Sequence, residues 1–326
     1  MRLPIFTSVL APALRSLAET RQALGYQDRG VLGYLAHFDR FLTARQWSLP
    51  YPTREVVEDW VASTPGLQPV CRAQRLQVMR LLGRFIAHTH AESYVPGPTW
   101  GRRPKSSFHP YIYTLTEIRS LLAEARRLKP IDSLRPHTHA TLLGLLYCTG
   151  LRISEALALR LEDVELQADI LWVRESKFRK SRLVPLGPKV GQAIRRYEQE
   201  RARHGGPQNP DARLFLNQRN HGCSYVVACA TFLALARRVG LRGPAGSRGP
   251  RLHDMRHSCA VQRLLEWYRD GGDVQARLPF LADYLGHVSI ASTQVYLEAT
   301  AELLHEAARR FRPPGDPQPW PGGGAA

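Results

Sequence analysis

Arg152, Lys177, His253, Arg256, His287 and Tyr296 follow one another along this chain, five basic side chains and one phenol. A deprotonated phenol is an oxygen nucleophile. Arginine offers a planar fork of donors that fits phosphate oxygens and keeps its charge, and histidine exchanges protons near neutral pH. A lysine ammonium, with a pKa of about 10.4, can surrender a proton to a leaving oxygen, which a guanidinium above about 12 cannot. Together these groups are suited to attack on a phosphodiester, cutting and rejoining a nucleic-acid backbone without a metal.

Each residue sits in a segment that gives it a position. In CTGLRISEALALR, residues 148–160, Gly150 ends one helix and Arg152 precedes the next, beside free helix N-terminal amides that favour an anion. Glu155 stands three residues on, close enough to steady the guanidinium. In SKFRKSRLVPL, residues 176–186, Lys177 and Lys180 occupy a hairpin loop in a chain with 40 arginines and only 5 lysines. Lys180 reads better as a solvated hairpin tip, where it could touch DNA. In RLHDMRHSCA, residues 251–260, His253 and Arg256 are spaced i, i+3 so that both can face one phosphate, whereas His257, one step further round, reads as packed or capping. In YLGHVSIASTQVYLEAT, residues 284–300, Gly286 turns the chain between two helices, and Tyr296 lies nine residues after His287. Taken one at a time these residues leave plainer readings open: a surface arginine, a chance HxxR, a structural tyrosine with its hydroxyl bonded to a neighbour.

The elements that must carry these groups fall into two parts. Residues 1–95 read as helical: Val31, Leu35, Phe38 and Leu42 share one face, Val56, Trp60 and Val61 repeat the pattern, and Val78, Leu82, Phe85 and Ile86 mark a third helix. That third helix also bears Arg72, Arg75, Arg80 and Arg84, a cationic side that reads equally as a track for DNA phosphates or as a merely solvated face. Residues 96–112 are rich in proline and glycine and carry Arg102, Arg103 and Lys105, a basic linker. Thr114 and Glu117 form a capping box that opens the next helix. From 113 to 312 the reading is mainly α with a small antiparallel sheet. A buried helix stops at Gly150, a hairpin joins Ile170–Arg174 to Arg182–Leu186, and Ser224 caps a helix reaching Val239. Glu162, Asp163 and Glu165 read as turn residues rather than as a metal site. Residues 313–326, PPGDPQPWPGGGAA, are expected to be disordered.

Composition narrows the partner. The 326 residues are 44% apolar, enough for two domains with buried cores. The net charge of +17 calls for a polyanion, and nucleic acid is favoured over an acidic membrane surface. The excess charge falls mostly beyond residue 95. Five scattered cysteines suit reduced thiols of the cytoplasm better than a disulfide framework, and His221 near Cys223 and Cys229 lacks the second ligand pair of a zinc site. The apolar stretch Leu3–Leu14 is broken by Pro4 and Pro12 and is too short to span a membrane.

In this order and spacing the four segments resemble the tyrosine recombinases, or phage integrases, over about residues 112–300. The resemblance implies that Arg152, Lys177, His253, Arg256, His287 and Tyr296 are catalytic, with Glu155 in support, and that residues 1–95 are a helical core-binding domain joined to a catalytic domain at 113–312. It implies a reaction that needs no cofactor, passing through a 3′-phosphotyrosine, with His253 as base and Lys177 as acid. It further implies four protomers on two double-stranded DNA sites, with or without partner recombinases, and a last helix (Ala301 to Phe311) packed against a neighbour. The stretch between Arg256 and His287 is several residues longer than usual, a feature similar to transposon-associated members. Two other readings stand beside recombination: type IB topoisomerase-like relaxation, and a non-catalytic DNA-binding accessory protein of the same fold.

Overall fold

The structure is a computed structural model that describes residues 3–26, 29–98, 100, 110–174, 181–286, 291–294, 296 and 301–310. The expected tail, residues 313–326, lies outside them. The chain divides into two compact units, Met1–Phe108 and His109–Ala326, and the division falls within the stretch read as a linker.

The first unit is helical. It contains α1 (Ala11–Ala23), α2 (Arg29–Ala44), α3 (Arg54–Ala62) and α4 (Pro69–Ala87). Leu35, Phe38 and Leu42 of α2, Val56, Trp60 and Val61 of α3, and Val78, Leu82 and Ile86 of α4 are buried together, so the 3.6-residue periodicity does mark the inner faces. Asp39 ties the chain start to α2, accepting from the backbone amides of Thr7 at 2.8 Å and Ser8 at 3.0 Å.

The second unit opens with the expected capping box. The Thr114 hydroxyl accepts from the Glu117 amide and the Glu117 carboxylate accepts from the Thr114 amide, starting α5 (Leu115–Arg126). Next come α6 (Leu134–Thr149) and the short α7 (Ile153–Ala158), separated by Gly150 at φ +62°. A side chain there would meet Leu285 at 2.8 Å, so both conformation and space call for glycine. A three-stranded antiparallel sheet follows, in the order β1 (Val164–Glu165), β2 (Ile170–Val173), β3 (Arg182–Pro185). Leu171 and Val184 pair directly and face the core, while Trp172 and Leu183 pair on the outer face.

Then α8 (Pro188–Arg203), α9 (Tyr225–Arg238) and α10 (Asp254–Arg269) complete the unit's main core, followed by α11 (Val274–Leu285), α12 (Ala291–Gln294) and α13 (Ala301–Arg310). The lengthened stretch between Arg256 and His287 is made of most of α10, a turn through Gly271 and α11, which Asp273 caps by accepting from the Ala276 amide. A second cluster joins Ala260, Leu264, Leu281, Leu285, Tyr296 and Leu303. The last helix, placed by the resemblance against a neighbour, lies in this structure on α10 of its own chain, with Leu303 buried and Arg269 paired to Glu302 and Glu306. Among the described residues no helix is long and apolar enough to cross a membrane.

Candidate active site

Three arginines, one carboxylate, two histidines and a tyrosine are gathered where α7, β3, α10 and the end of α11 meet. The fold delivers each by a local device. Gly150 turns the chain left-handed, and the next residues enter α7 with Arg152 as its N-cap. Arg152 donates through Nη1 to Glu155 Oε1 at 2.7 Å and through Nη2 to the Gly286 carbonyl at 2.9 Å. Its backbone amide donates to Glu155 Oε2 at 3.0 Å. The expectation that Glu155 steadies Arg152 matches this geometry.

Arg256, one turn into α10, is 2% exposed. It donates through Nη1 to the Gly150 carbonyl at 2.7 Å and through Nη2 to the Leu285 carbonyl at 2.5 Å. Burial, reinforced by the nearby Arg152 charge, lowers its pKa to about 10, which leaves it cationic at neutral pH. Glu155 is buried as well. Burial alone would raise its pKa, but bonds and charge from Arg182, and then from Arg152, outweigh this and hold it below the ordinary carboxylate value.

Tyr296 is 4% exposed, its ring inside the cluster formed by α10, α11 and α13. Burial raises the phenol's pKa, while Arg256 and Arg152 pull it back down. The phenol oxygen of Tyr296 therefore lies in the field of Arg256 and Arg152. Its hydroxyl also stands 3.2 Å from Nδ1 of His257. This corrects the expectation for His257: instead of packing or capping, it touches the phenol. His253, the expected base, is the N-cap of α10 and sets its ring edge-on to His257, centroids 4.9 Å apart. Both imidazoles are shifted down, first by burial and then by neighbouring positive groups, His257 to about 4. His257 is therefore neutral at pH 7.

Sequence reasoning missed two members of this group. His257 was set aside because neighbouring helix positions point about 100° apart, and only the path of the chain after α11 shows which of them meets Tyr296. Arg182 was read as the first residue of a strand. It donates to both oxygens of Glu155, at 3.2 and 2.8 Å, and to the Tyr284 carbonyl at 2.8 Å. Its place in RLVPL, first on the strand after a basic loop, was the available signal.

Lys177, Lys180, His287, Arg102, Arg103 and Lys105 lie outside the described residues. On α4 the four arginines have different fates. Arg72 and Arg84 are exposed. Arg80 is turned back onto the carbonyls of Pro96, Gly97 and Trp100. Arg75 departs from its assignment as a DNA contact. It is buried against the Trp60 ring and donates to the Trp60 carbonyl at 2.7 Å and the Thr64 hydroxyl at 2.8 Å, because its position on α4 faces α3 rather than solvent. Among the described residues no group of three His, Cys, Asp or Glu side chains is placed to hold a metal ion.

The model of the phage integrase family matches residues 113–302, more than half of the chain and the whole span of this site. The chain belongs to the phage integrase family. It is 37% identical over 308 residues to the "Putative integrase/recombinase y4rB" of Sinorhizobium fredii, covering 93% of this chain and 97% of that protein. It is 34% identical over 255 residues to the tyrosine recombinase XerD of Mycobacterium tuberculosis, covering 75% of each. Among solved structures, the Tn1549 transposon integrase in complex with transposon right end DNA matches with a TM-score of 0.63 over 92% of this chain and 99% of that one, at 19% identity. The XerH site-specific recombinase bound to palindromic difH substrate matches with a TM-score of 0.62 over 90% of this chain and 82% of that one, also at 19% identity. At these identities the structural likeness shows the fold, a tyrosine recombinase fold of helices around a small antiparallel sheet. As a phage integrase the chain is a tyrosine-type site-specific DNA recombinase.

Proposed function

We propose that this integrase cuts and rejoins double-stranded DNA by direct strand transfer to Tyr296, in the integration, excision or transposition of a mobile element. One observation carries the reading: the Tyr296 hydroxyl is bonded to a neutral imidazole and lies in the field of two arginines. In the reaction, the Tyr296 oxygen attacks a backbone phosphorus. A bond from tyrosine to the 3′-phosphate forms, the bond to the 5′-oxygen breaks, and the phenolic proton passes to His257 Nδ1. His253, edge-on to that ring, adjoins the relay. Lys177 supplies the proton that the leaving 5′-oxygen takes up. A 5′-hydroxyl from a second strand then reverses these transfers.

The phosphorane-like transition state carries extra negative charge on its non-bridging oxygens. Arg152, Arg256 and His287 are assigned to it as donors, and loss of one such donor costs about 10²- to 10³-fold in rate. The imidazole of His257 is a weak base in the free protein, and a phosphate anion brought beside it raises its proton affinity. Because the Tyr296 ring is covered, DNA binding has to open the cluster around it. Four protomers on two DNA sites are the assembly in which strands from different duplexes can be exchanged. Strand exchange is favoured over same-strand relaxation by the likeness to relatives named as recombinases and integrases.

The test uses nicked duplex oligonucleotides tiled across the DNA on either side of the gene. A nick close to the scissile bond lets the 5′-hydroxyl fragment diffuse away and traps the covalent adduct. The expected result is a protein–DNA adduct stable in detergent, lost in Tyr296→Phe, with the tyrosine on the 3′-phosphate. An adduct that persists in Tyr296→Phe would overturn the reading.

A further inference from the structure

A helix ends with carbonyl oxygens that have no partner within the helix. At the end of α11 an arginine from a different element has come to each of three consecutive ones. Arg182 of β3 donates through Nε to the Tyr284 carbonyl at 2.8 Å, Arg256 of α10 through Nη2 to that of Leu285 at 2.5 Å, and Arg152 through Nη2 to that of Gly286 at 2.9 Å. Two of the three are assigned to the scissile phosphate. Arg182 is not, and its remaining bonds say what it does instead. Both of its terminal amines point at Glu155, one to each carboxylate oxygen, with the arginine side chain 12% and the glutamate side chain 5% exposed.

Glu155 is the difficulty that Arg182 resolves. A carboxylate 2.7 Å from Arg152 fixes the guanidinium but also cancels its charge, the property the transition state needs. A second guanidinium on the same carboxylate leaves the group of Arg152, Glu155 and Arg182 with a net charge of +1. We infer that Arg182 is a positioning residue of the strand-transfer site, balancing Glu155 and fixing its plane so that Arg152 meets the scissile phosphate with its charge uncancelled. This rests on the recombinase reading above. Lysine cannot replace it in full, since one ammonium keeps the charge but not the fork that spans two carboxylate oxygens and a carbonyl. The same corner explains Gly286, at φ +67°: a side chain there would stand 2.8 Å from Arg182 Nη1.

The experiment measures single-turnover adduct formation by the full-length protein on the nicked oligonucleotides at saturating DNA. DNA affinity and the thermal midpoint are read in parallel. Arg182→Met is expected to slow adduct formation by about 10- to 100-fold, the effect of one unit charge a few ångströms away in a partly screened site, with affinity changed less than threefold. Arg182→Lys should be about tenfold faster than Arg182→Met. The deciding variant is the double change Arg182→Met with Glu155→Gln. Removing the unbalanced carboxylate is expected to restore the rate by about tenfold over Arg182→Met alone. A double variant no faster than the single one, or an Arg182→Lys as slow as Arg182→Met, shows a merely structural arginine and overturns the inference. So does an Arg182→Met that reacts at the unaltered rate. If the unaltered protein forms no adduct on any fragment, the recombinase reading fails and this inference with it.

Discussion

Nδ1 of His257 stands 3.2 Å from the hydroxyl oxygen of Tyr296, joining two residues 39 apart in the chain. The imidazole sits on α10 one position after Arg256, so one turn of helix carries both a guanidinium beside the phenol and the imidazole that bonds it, and in the proposed reaction these would serve as phosphate donor and proton acceptor. Asp254 Oδ1 is 4.0 Å from the other ring nitrogen, too far for a hydrogen bond, so the ring is not anchored as in a carboxylate–imidazole pair.

Replacing His257 by alanine should therefore slow covalent adduct formation by about 10²-fold or more at pH 7, the usual worth of a placed proton acceptor. Since a phenol loses its proton unaided near its own pKa, the deficit should shrink as pH rises towards 10. Single-turnover cleavage rates between pH 6 and 10 for both proteins check this. A constant deficit across that range would place His257 outside the proton path.

Arg75 and Arg84 should separate by phenotype. Arg75→Met is expected to destabilise the first unit by about 1–3 kcal/mol, because it leaves the Trp60 carbonyl without its charged donor, and to leave the salt dependence of DNA binding unaltered. Exposed Arg84→Ala should leave stability within about 0.5 kcal/mol. If it neutralises a phosphate, it should lower the slope of log affinity against log salt by about 0.9. Denaturant unfolding and binding titrations at several salt concentrations read the two effects apart.

Gly150→Ala should cost about 1–3 kcal/mol, since a left-handed residue acquires a side chain 2.8 Å from Leu285. The Gly150 carbonyl accepts from Arg256, so the rate of adduct formation should fall further than the lost stability explains. Rates taken well below the thermal midpoint of the variant make the comparison.

His139, buried in α6, titrates at about 4, lowered by burial and then by Arg135. In the unfolded chain a histidine takes up its proton near pH 6.5. Between those values the unfolded state binds more protons than the folded one, so stability is full above about pH 6.5 and declines as pH falls towards 4. The contribution is on the order of 3 kcal/mol at most. Urea unfolding at pH 7 and pH 4.5 should show a smaller difference in His139→Gln than in the unaltered protein.

Much of the local structure was legible. Thr114 with Glu117, Gly150, Ser224 and Gly286 each act on their own helix end, within a few residues, and the structure has them as caps or terminators. The hairpin of β2 and β3 was likewise written in two short β-branched runs on either side of a polar loop. The third strand was not. Val164 and Glu165 form a two-residue strand whose only distinction is pairing with Leu171 and Ile170, and no alternation can be read from two residues.

The site divides along the same line. The types of its side chains, the turn that presents Arg152 and the i, i+3 spacing of His253 and Arg256 depend on neighbours along the chain, and the sequence by itself determined them. Which histidine bonds the phenol, which arginine of α4 is buried and which arginine balances Glu155 depend on contacts between segments as far apart as the 134 residues from Arg152 to Gly286. Only the tertiary structure decided those, because a side chain's partners are chosen by how distant helices and strands pack.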